Sequence, residues 1–200
     1  MLRLILARHG QTDANVNHQL QGQSNGQLNE IGRLEVERLG EALKNMHLDV
    51  IISSDMVRAQ DTATAIARHH SLPVISTPLA REWNCGEWDG RPAEEFIEIV
   101  KNLTIPISQI RPPGGETLTE VQDRAREFVK EVKEKYPGKT VVLCSHGDFL
   151  RMVISILENK SIEEADSTYR MDNASYSVFE LRDGTWKMVS FNKTSPSRNL

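Results

Sequence analysis

Short apolar runs alternate along this chain with polar segments of helical period, and that alternation leaves few architectures open. The runs fall at residues 2–7, 50–53, 74–76 and 140–145; the last is continuously apolar, as a strand buried on both faces must be. Between them, Asn29 can cap a helix with Ile31, Val36, Leu39, Leu43 and Met46 on one face. Ser54 or Asp55 opens a second helix, with Ala59, Ala63, Ile66 and Ala67 inward. Thr117 and Glu120 form a capping box ahead of Leu118, Val121, Ala125, Phe128, Val129 and Val132, and residues 147–157 read as a further helix. Residues 175–181 and 186–191 pair across an Asp183-Gly184 turn. The expected fold class is α/β: an open three-layer α/β/α sheet, mostly parallel, with a C-terminal hairpin at one edge. Residues 11–29 read as a long loop, residues 78–115 as an irregular segment covering the substrate, and the last six residues as frayed.

A chain of 200 residues with 38% apolar content suits one compact domain, spanning residues 1–200. A net charge of −4 gives no global pull toward nucleic acid or a membrane surface, and the apolar N-terminal run is too short for a signal sequence. The two cysteines, Cys85 and Cys144, lie far apart and read as buried free thiols. The expected location is the cytoplasm.

In open α/β sheets ligands bind beyond the carboxyl ends of the strands, so the residues there carry the functional argument. The first strand runs into Arg8-His9-Gly10, the second into Ser53-Ser54 with Arg58 one helical turn on, and the last parallel strand into Ser145-His146-Gly147. Two arginines suit a phosphate or carboxylate, and the helix start at Gly147 adds backbone donors. Histidine beside a bound phosphate can be a nucleophile, a general acid or a clamp. Metal ligation fits poorly where each histidine has cationic neighbours, so neither metal nor cofactor is expected. Those cations disfavour the imidazolium, leaving one histidine neutral with a lone pair for phosphorus while the other donates hydrogen bonds. A leaving alkoxide needs a proton, for which Glu82 is the candidate and Glu87 the rival.

These residues resemble the phosphoglycerate-mutase-like branch of the histidine phosphatase superfamily, in order and along almost the whole chain. The blocks are Arg8-His9-Gly10-Gln11-Thr12 through Asn15; Gln21-Gly22-Gln23; Ser53-Ser54-Asp55 with Arg58, Ala59 and Thr62; Glu82 with Gly86-Glu87-Trp88-Asp89-Gly90; and Ser145-His146-Gly147. The resemblance implies a phosphohistidine mechanism. His9 attacks phosphorus, Glu82 protonates the departing oxygen, and water then attacks the phosphoenzyme with Glu82 as base. Arg8, Arg58, His146, the Asn15 side chain and the Gly147 amide hold the phosphoryl oxygens, with Gln21 and Gly22 beside them.

Within that family the acceptor distinguishes hydrolases from mutases. The cofactor-dependent mutases carry a long basic insertion between the acid loop and the capped helix, whereas residues 92–113 here include only Lys101 and Arg111 as cations. Trp83-Asn84 also departs from the mutase pattern, and the segment around Pro112 to Thr117 is similar to phosphatase members, fructose-2,6-bisphosphatases of the TIGAR type among them. Hydrolysis of a small phosphate ester, of sugar phosphate or phosphoglycerate type, is the expected activity. Phosphoglycerate mutation is the alternative, and a silent relative that only binds phosphorylated ligands is disfavoured because every expected residue is present. Trp83, Trp88 and Phe96 either line a leaving-group pocket or pack the irregular segment. Arg81, Arg91 and Arg111 are the suspects for a second phosphate. His18 reads as an exposed loop residue, and His47, His69 and His70 as imidazolium ends of helices. A homodimer is left open.

Overall fold

The computed structural model describes residues 1–194, so the tail expected to fray lies outside the described residues. In chain order the elements are β1 (Leu2–Arg8), α1 (Asp13–Val16), α2 (Glu30–Leu43), β2 (Val50–Ser54), α3 (Val57–Ala67), β3 (Val74–Thr77), α4 (Ala93–Asn102), α5 (Leu118–Lys135), β4 (Thr140–Ser145), α6 (Gly147–Leu157), α7 (Ile162–Thr168), β5 (Tyr176–Arg182) and β6 (Thr185–Lys193). They build one six-stranded sheet in the order β3-β2-β4-β1-β5-β6. β3, β2, β4 and β1 are parallel, and β5 and β6 run antiparallel at the edge. The expected three-layer class is what forms.

Successive side chains of a strand point to opposite faces, and β1 divides its apolar residues accordingly. Leu4 and Leu6 join Val141, Leu143, Phe128 and Phe149 under α5 and α6; Ile5 and Ala7 join Val142, Cys144, Val36 and Leu39 under α2 and α3. Burial of each large apolar side chain contributes about 1.5–3 kcal/mol. Helix α2 thus leaves the end of β1 across one face and α6 leaves the end of the neighbouring β4 across the other. A crevice opens between those two strand ends.

Several local expectations need correction. Ile31 is 55% exposed; Gly32 takes the inward place, where a Cβ would lie 2.0 Å from the Gln11 carbonyl oxygen. Likewise a Cβ on Gly10 would lie 2.6 Å from the Gly32 carbonyl oxygen, so paired glycines let α2 start against the exit of β1. Helix α3 begins at Val57, not at Ser54 or Asp55, because the Ser54 side chain accepts the Met56 amide and holds the turn open. The segment at 78–115 is not wholly irregular: it holds α4 and short 3-10 turns at Pro78–Ala80, Gly86–Trp88 and Ile107–Gln109. The long loop contains α1, and α7 follows α6. His70 is no helix-end imidazolium, since burial pulls its pKa down and leaves Nε2 buried without a partner. The Thr117–Glu120 capping box, the Asn29 cap and the Asp183-Gly184 turn form as expected. Both cysteines are free and buried. Among the described residues no helix is long and apolar enough to cross a membrane.

Candidate active site

β1 and β4 end in register, Arg8 opposite Ser145, and the His9 amide donates to the Ser145 carbonyl at 3.0 Å. Their next residues therefore arrive side by side, with the His9 and His146 rings 5.2 Å apart. β2 flanks β4 on its other side, and from its end the Ser54 Oγ lies 2.9 Å from His146 Nε2. The His9 Nδ1 is 2.7 Å from the Gly10 carbonyl oxygen, which can only accept. His9 therefore carries its proton on Nδ1 and presents a bare Nε2. Burial, then Arg58 and Arg8, hold its pKa well below the ordinary histidine range. The same causes, with His9 itself, depress His146. In both rings, not one, the imidazolium is disfavoured, and burial outranks the neighbouring cations as the reason.

The arginines are fixed by backbone carbonyls. Arg8 Nη1 donates to Met171 O at 2.6 Å, while Arg58 donates to Gly22 O at 2.8 Å and Ser24 O at 2.9 Å. Arg58 is 1% exposed and so ties the long loop to the floor of the crevice. Gly22 lines the cleft and serves through that carbonyl. Asn15 closes the cap of α1, and its Oδ1 accepts from the Thr12 amide and from Asn173 Nδ2, so its Nδ2 is the end left for an anion. Gln21 is bonded through Oε1 to the Thr12 hydroxyl at the cleft margin. Among the described residues, five side-chain nitrogen or oxygen atoms are buried without a partner, and three of them are Arg8 Nε, Arg58 Nε and His146 Nδ1. Buried polar atoms are normally satisfied, so three such nitrogens on neighbouring residues mark a place for an acceptor.

Glu82 reaches the crevice from the loop after β3. Its carboxylate caps α6, Oε1 accepting from the amides of Trp83 at 2.9 Å, Asp148 at 3.0 Å and Phe149 at 3.1 Å. Burial, and after it the Asp148 charge, push its pKa above the ordinary carboxylate range. The first amides of α6 thus serve Glu82, a correction to the expectation that the helix start as a whole faces the anion. Gly147 stands between the two groups: a Cβ built there would lie 3.7 Å from Glu82 Oε2 and 3.8 Å from Arg8 Nε. Gln23 and Arg124 both donate to the Glu82 carbonyl and anchor the acid loop from either side. Glu87 is exposed and outside the cleft lining.

Arg8, His9, Asn15, Gln21, Gly22, Arg58, Glu82 and Gly147 line a cleft of about 750 Å³ whose outer wall includes Phe96, Ile97, Val100 and Lys101 of α4, with the fully buried His146 ring beside His9. Trp83 is buried against Phe96 and also lines the cleft; Trp88 packs on Phe96 from behind. The three suspected cations are elsewhere: Arg81 pairs with Asp55, Arg91 with Glu95 and Arg111 with Glu120. Arg170 and Lys101 line the cleft instead, and among the described residues neither side chain has an ion-pair or hydrogen-bond partner. Asp148 and Asp166 at the same wall share one cation, Arg151, so a single guanidinium meets two carboxylates. Sequence reasoning missed Arg170, Arg151, Asn173 and Arg124. Only the Asp148–Arg151 pair carries a local signal, its i,i+3 spacing on a helix.

Comparison with known proteins agrees with this fold. The model of the histidine phosphatase superfamily (branch 1) matches residues 4–194. Phosphoserine phosphatase 1 of Hydrogenobacter thermophilus is 31% identical, covering 97% of this chain and 93% of that relative. A probable phosphoglycerate mutase of Yersinia pestis is 31% identical, over 93% of this chain and 88% of the relative. The solved structure of a mycobacterial glucosyl-3-phosphoglycerate phosphatase in complex with VO3 superposes with a TM-score of 0.87 at 29% identity, over 96% of this chain and 99% of that one. The chain belongs to the histidine phosphatase superfamily, branch 1.

Proposed function

We propose that the chain is a metal-independent phosphomonoesterase whose single catalytic domain hydrolyses a small phosphate ester through a phosphohistidine on His9. The observation that carries this reading is the bare, neutral His9 Nε2 beside the unpartnered buried nitrogens of Arg8, Arg58 and His146. In the first step the Nε2 lone pair forms the N–P bond, the P–O bond to the leaving group breaks, and the Glu82 proton goes to the departing oxygen. In the second, water attacks phosphorus, the N–P bond breaks, and the water proton returns to Glu82. Arg8, Arg58, His146, Asn15 Nδ2, Gln21 and the Gly147 amide stabilise charge on the transferred oxygens, with the Gly22 carbonyl holding Arg58 in place. The unpaired Arg170 and Lys101 favour a leaving group with its own negative charge, as in phosphorylated hydroxy or amino acids. Phosphoserine and glucosyl-3-phosphoglycerate, named for the relatives, are of that kind. Two free buried thiols suit a cytoplasmic enzyme.

A second reading, transfer of the same phosphoryl group between hydroxyls of a phosphoglycerate, is favoured by the likeness to the probable mutase. The test uses p-nitrophenyl phosphate in EDTA. Turnover is expected to persist, and His9→Ala to lose at least about 10³-fold in kcat; metal dependence or an active variant overturns the mechanism. Supplying 3-phosphoglycerate with catalytic 2,3-bisphosphoglycerate then separates the two readings, because fast isomerisation without phosphate release makes the chain a mutase.

A further inference from the structure

Burial disfavours the imidazolium in both His9 and His146, so which ring nitrogen of each keeps its proton matters. A neutral ring has one proton, so each histidine offers either a lone pair or an N–H to a phosphoryl group. For His9 the Gly10 carbonyl decides. For His146 the ring nitrogen turned away from the unpartnered Nδ1 meets a hydroxyl, which can donate or accept.

The surroundings of that hydroxyl resolve it. Ser54 is fully buried, and its Oγ already accepts the Met56 amide at 3.3 Å. Its backbone is pinned as well, with the Ser54 carbonyl accepting from Ser53 Oγ at 2.8 Å and Gln60 Nε2 at 2.6 Å. Were Oγ also to accept from His146, its own proton would have no acceptor among the described residues, and His146 Nδ1 would turn a lone pair toward the phosphoryl oxygens. Donation from Ser54 Oγ to Nε2 satisfies every atom once an anion meets Nδ1–H. We propose that Ser54 is a positioning residue that fixes His146 as the Nδ1–H tautomer, so that the cleft opposes one histidine lone pair, on His9, with one histidine N–H, on His146. The use made of that N–H rests on the phosphohydrolase reading above; the tautomer itself is a property of the resting protein.

The test is ring-nitrogen NMR on protein labelled with ¹⁵N-histidine, with His146→Gln used to assign the signals. His146 is expected to show a pyrrole-type Nδ1 and a pyridine-type Nε2, and Ser54→Thr to keep that pattern. Ser54→Ala is expected to mix or reverse it, to lower kcat/KM about 10- to 100-fold and to weaken competitive inhibition by inorganic phosphate similarly, with Ser54→Thr restoring both. A pyrrole-type Nε2 in the wild-type protein overturns the proposal. So does a Ser54→Ala variant whose His146 tautomer is unchanged. Should Ser54→Ala not fold, the wild-type and Ser54→Thr spectra still decide. A protein with the expected tautomer but no phosphatase activity would reject the functional reading and leave the Ser54 assignment standing.

Discussion

His9, Ser54, Arg58 and His146 are all but sealed from solvent at or just beyond the ends of three neighbouring strands, whereas no residue of α4, which carries Phe96, Ile97, Val100 and Lys101 into the same cleft, is buried. The floor is held by sheet register and by backbone carbonyls on both arginines. The outer wall is held by an amphipathic helix resting on two tryptophan rings. A group that must meet phosphorus within a fraction of an ångström needs the first kind of support, while a surface that selects among leaving groups tolerates the second. The reaction and the choice of substrate are thus lodged in parts of the molecule under different mechanical constraint.

Glu82 joins the two regions, and after loss of the His9 nucleophile its removal should have the largest effect. In Glu82→Gln, kcat/KM, which reports the phosphorylation step, is expected to fall about 10²- to 10⁴-fold for an alkyl phosphate and much less for p-nitrophenyl phosphate, whose phenolate departs without help. Because its pKa is raised, the protonated acid is present below that raised value and lost as pH climbs through it. The wild-type kcat/KM for the alkyl ester should therefore decline on the alkaline side and the variant's should not; a variant that keeps this limb removes Glu82 from the acid role. Arg170→Ala and Lys101→Ala probe the wall alone. Each should raise KM for an ester with an anionic leaving group about tenfold, an effect that fades with added salt and is far smaller for p-nitrophenyl phosphate. Equal changes for both esters would place these cations outside leaving-group recognition. The mildest change is Phe96→Ala, expected to cost about 1 kcal/mol in denaturant unfolding and to redistribute kcat/KM among esters. Leu6→Ala under the floor should cost about 2–5 kcal/mol instead, and the comparison fails if the two losses are alike.

The same contrast explains what could be read from the residues alone. β1, β2 and β4 are apolar runs that end in chemically distinctive residues, so their boundaries and cargo are written locally, and Thr117 with Glu120 announces α5 through its own capping atoms. Helix α4 has no such announcement. Its N-cap is Pro92, without a side-chain hydrogen bond, and the rings that support Phe96 belong to the acid loop. The cations of residues 78–115 drew suspicion by proximity in the chain, yet Arg81, Arg91 and Arg111 are satisfied by carboxylates, while Arg170 enters from the stretch after α7. Arg91–Glu95 has the i,i+4 spacing of a helical pair, but Arg81–Asp55 and Arg111–Glu120 pair over separations that leave no periodicity to detect. Ile31 misled because helical spacing cannot reveal that a backbone from another element occupies the adjacent groove, which Gly32 alone admits. The His9, Arg8, Arg58 and His146 cluster was legible; that the imidazolium is disfavoured in both histidines depended on burial, which only the packed sheet supplies.

The strand order has a consequence for synthesis. β1 and β2 are made early but do not touch; both pair with β4, which leaves the ribosome some 90 residues after β2. Until Thr140–Ser145 inserts between them, His9 has no partner ring and Ser54 nothing to orient. A nascent chain halted before that insertion carries the nucleophile's sequence without its competence. Activity should therefore appear only once the chain beyond β4, which brings Met171 to Arg8 and Asn173 to Asn15, has been made.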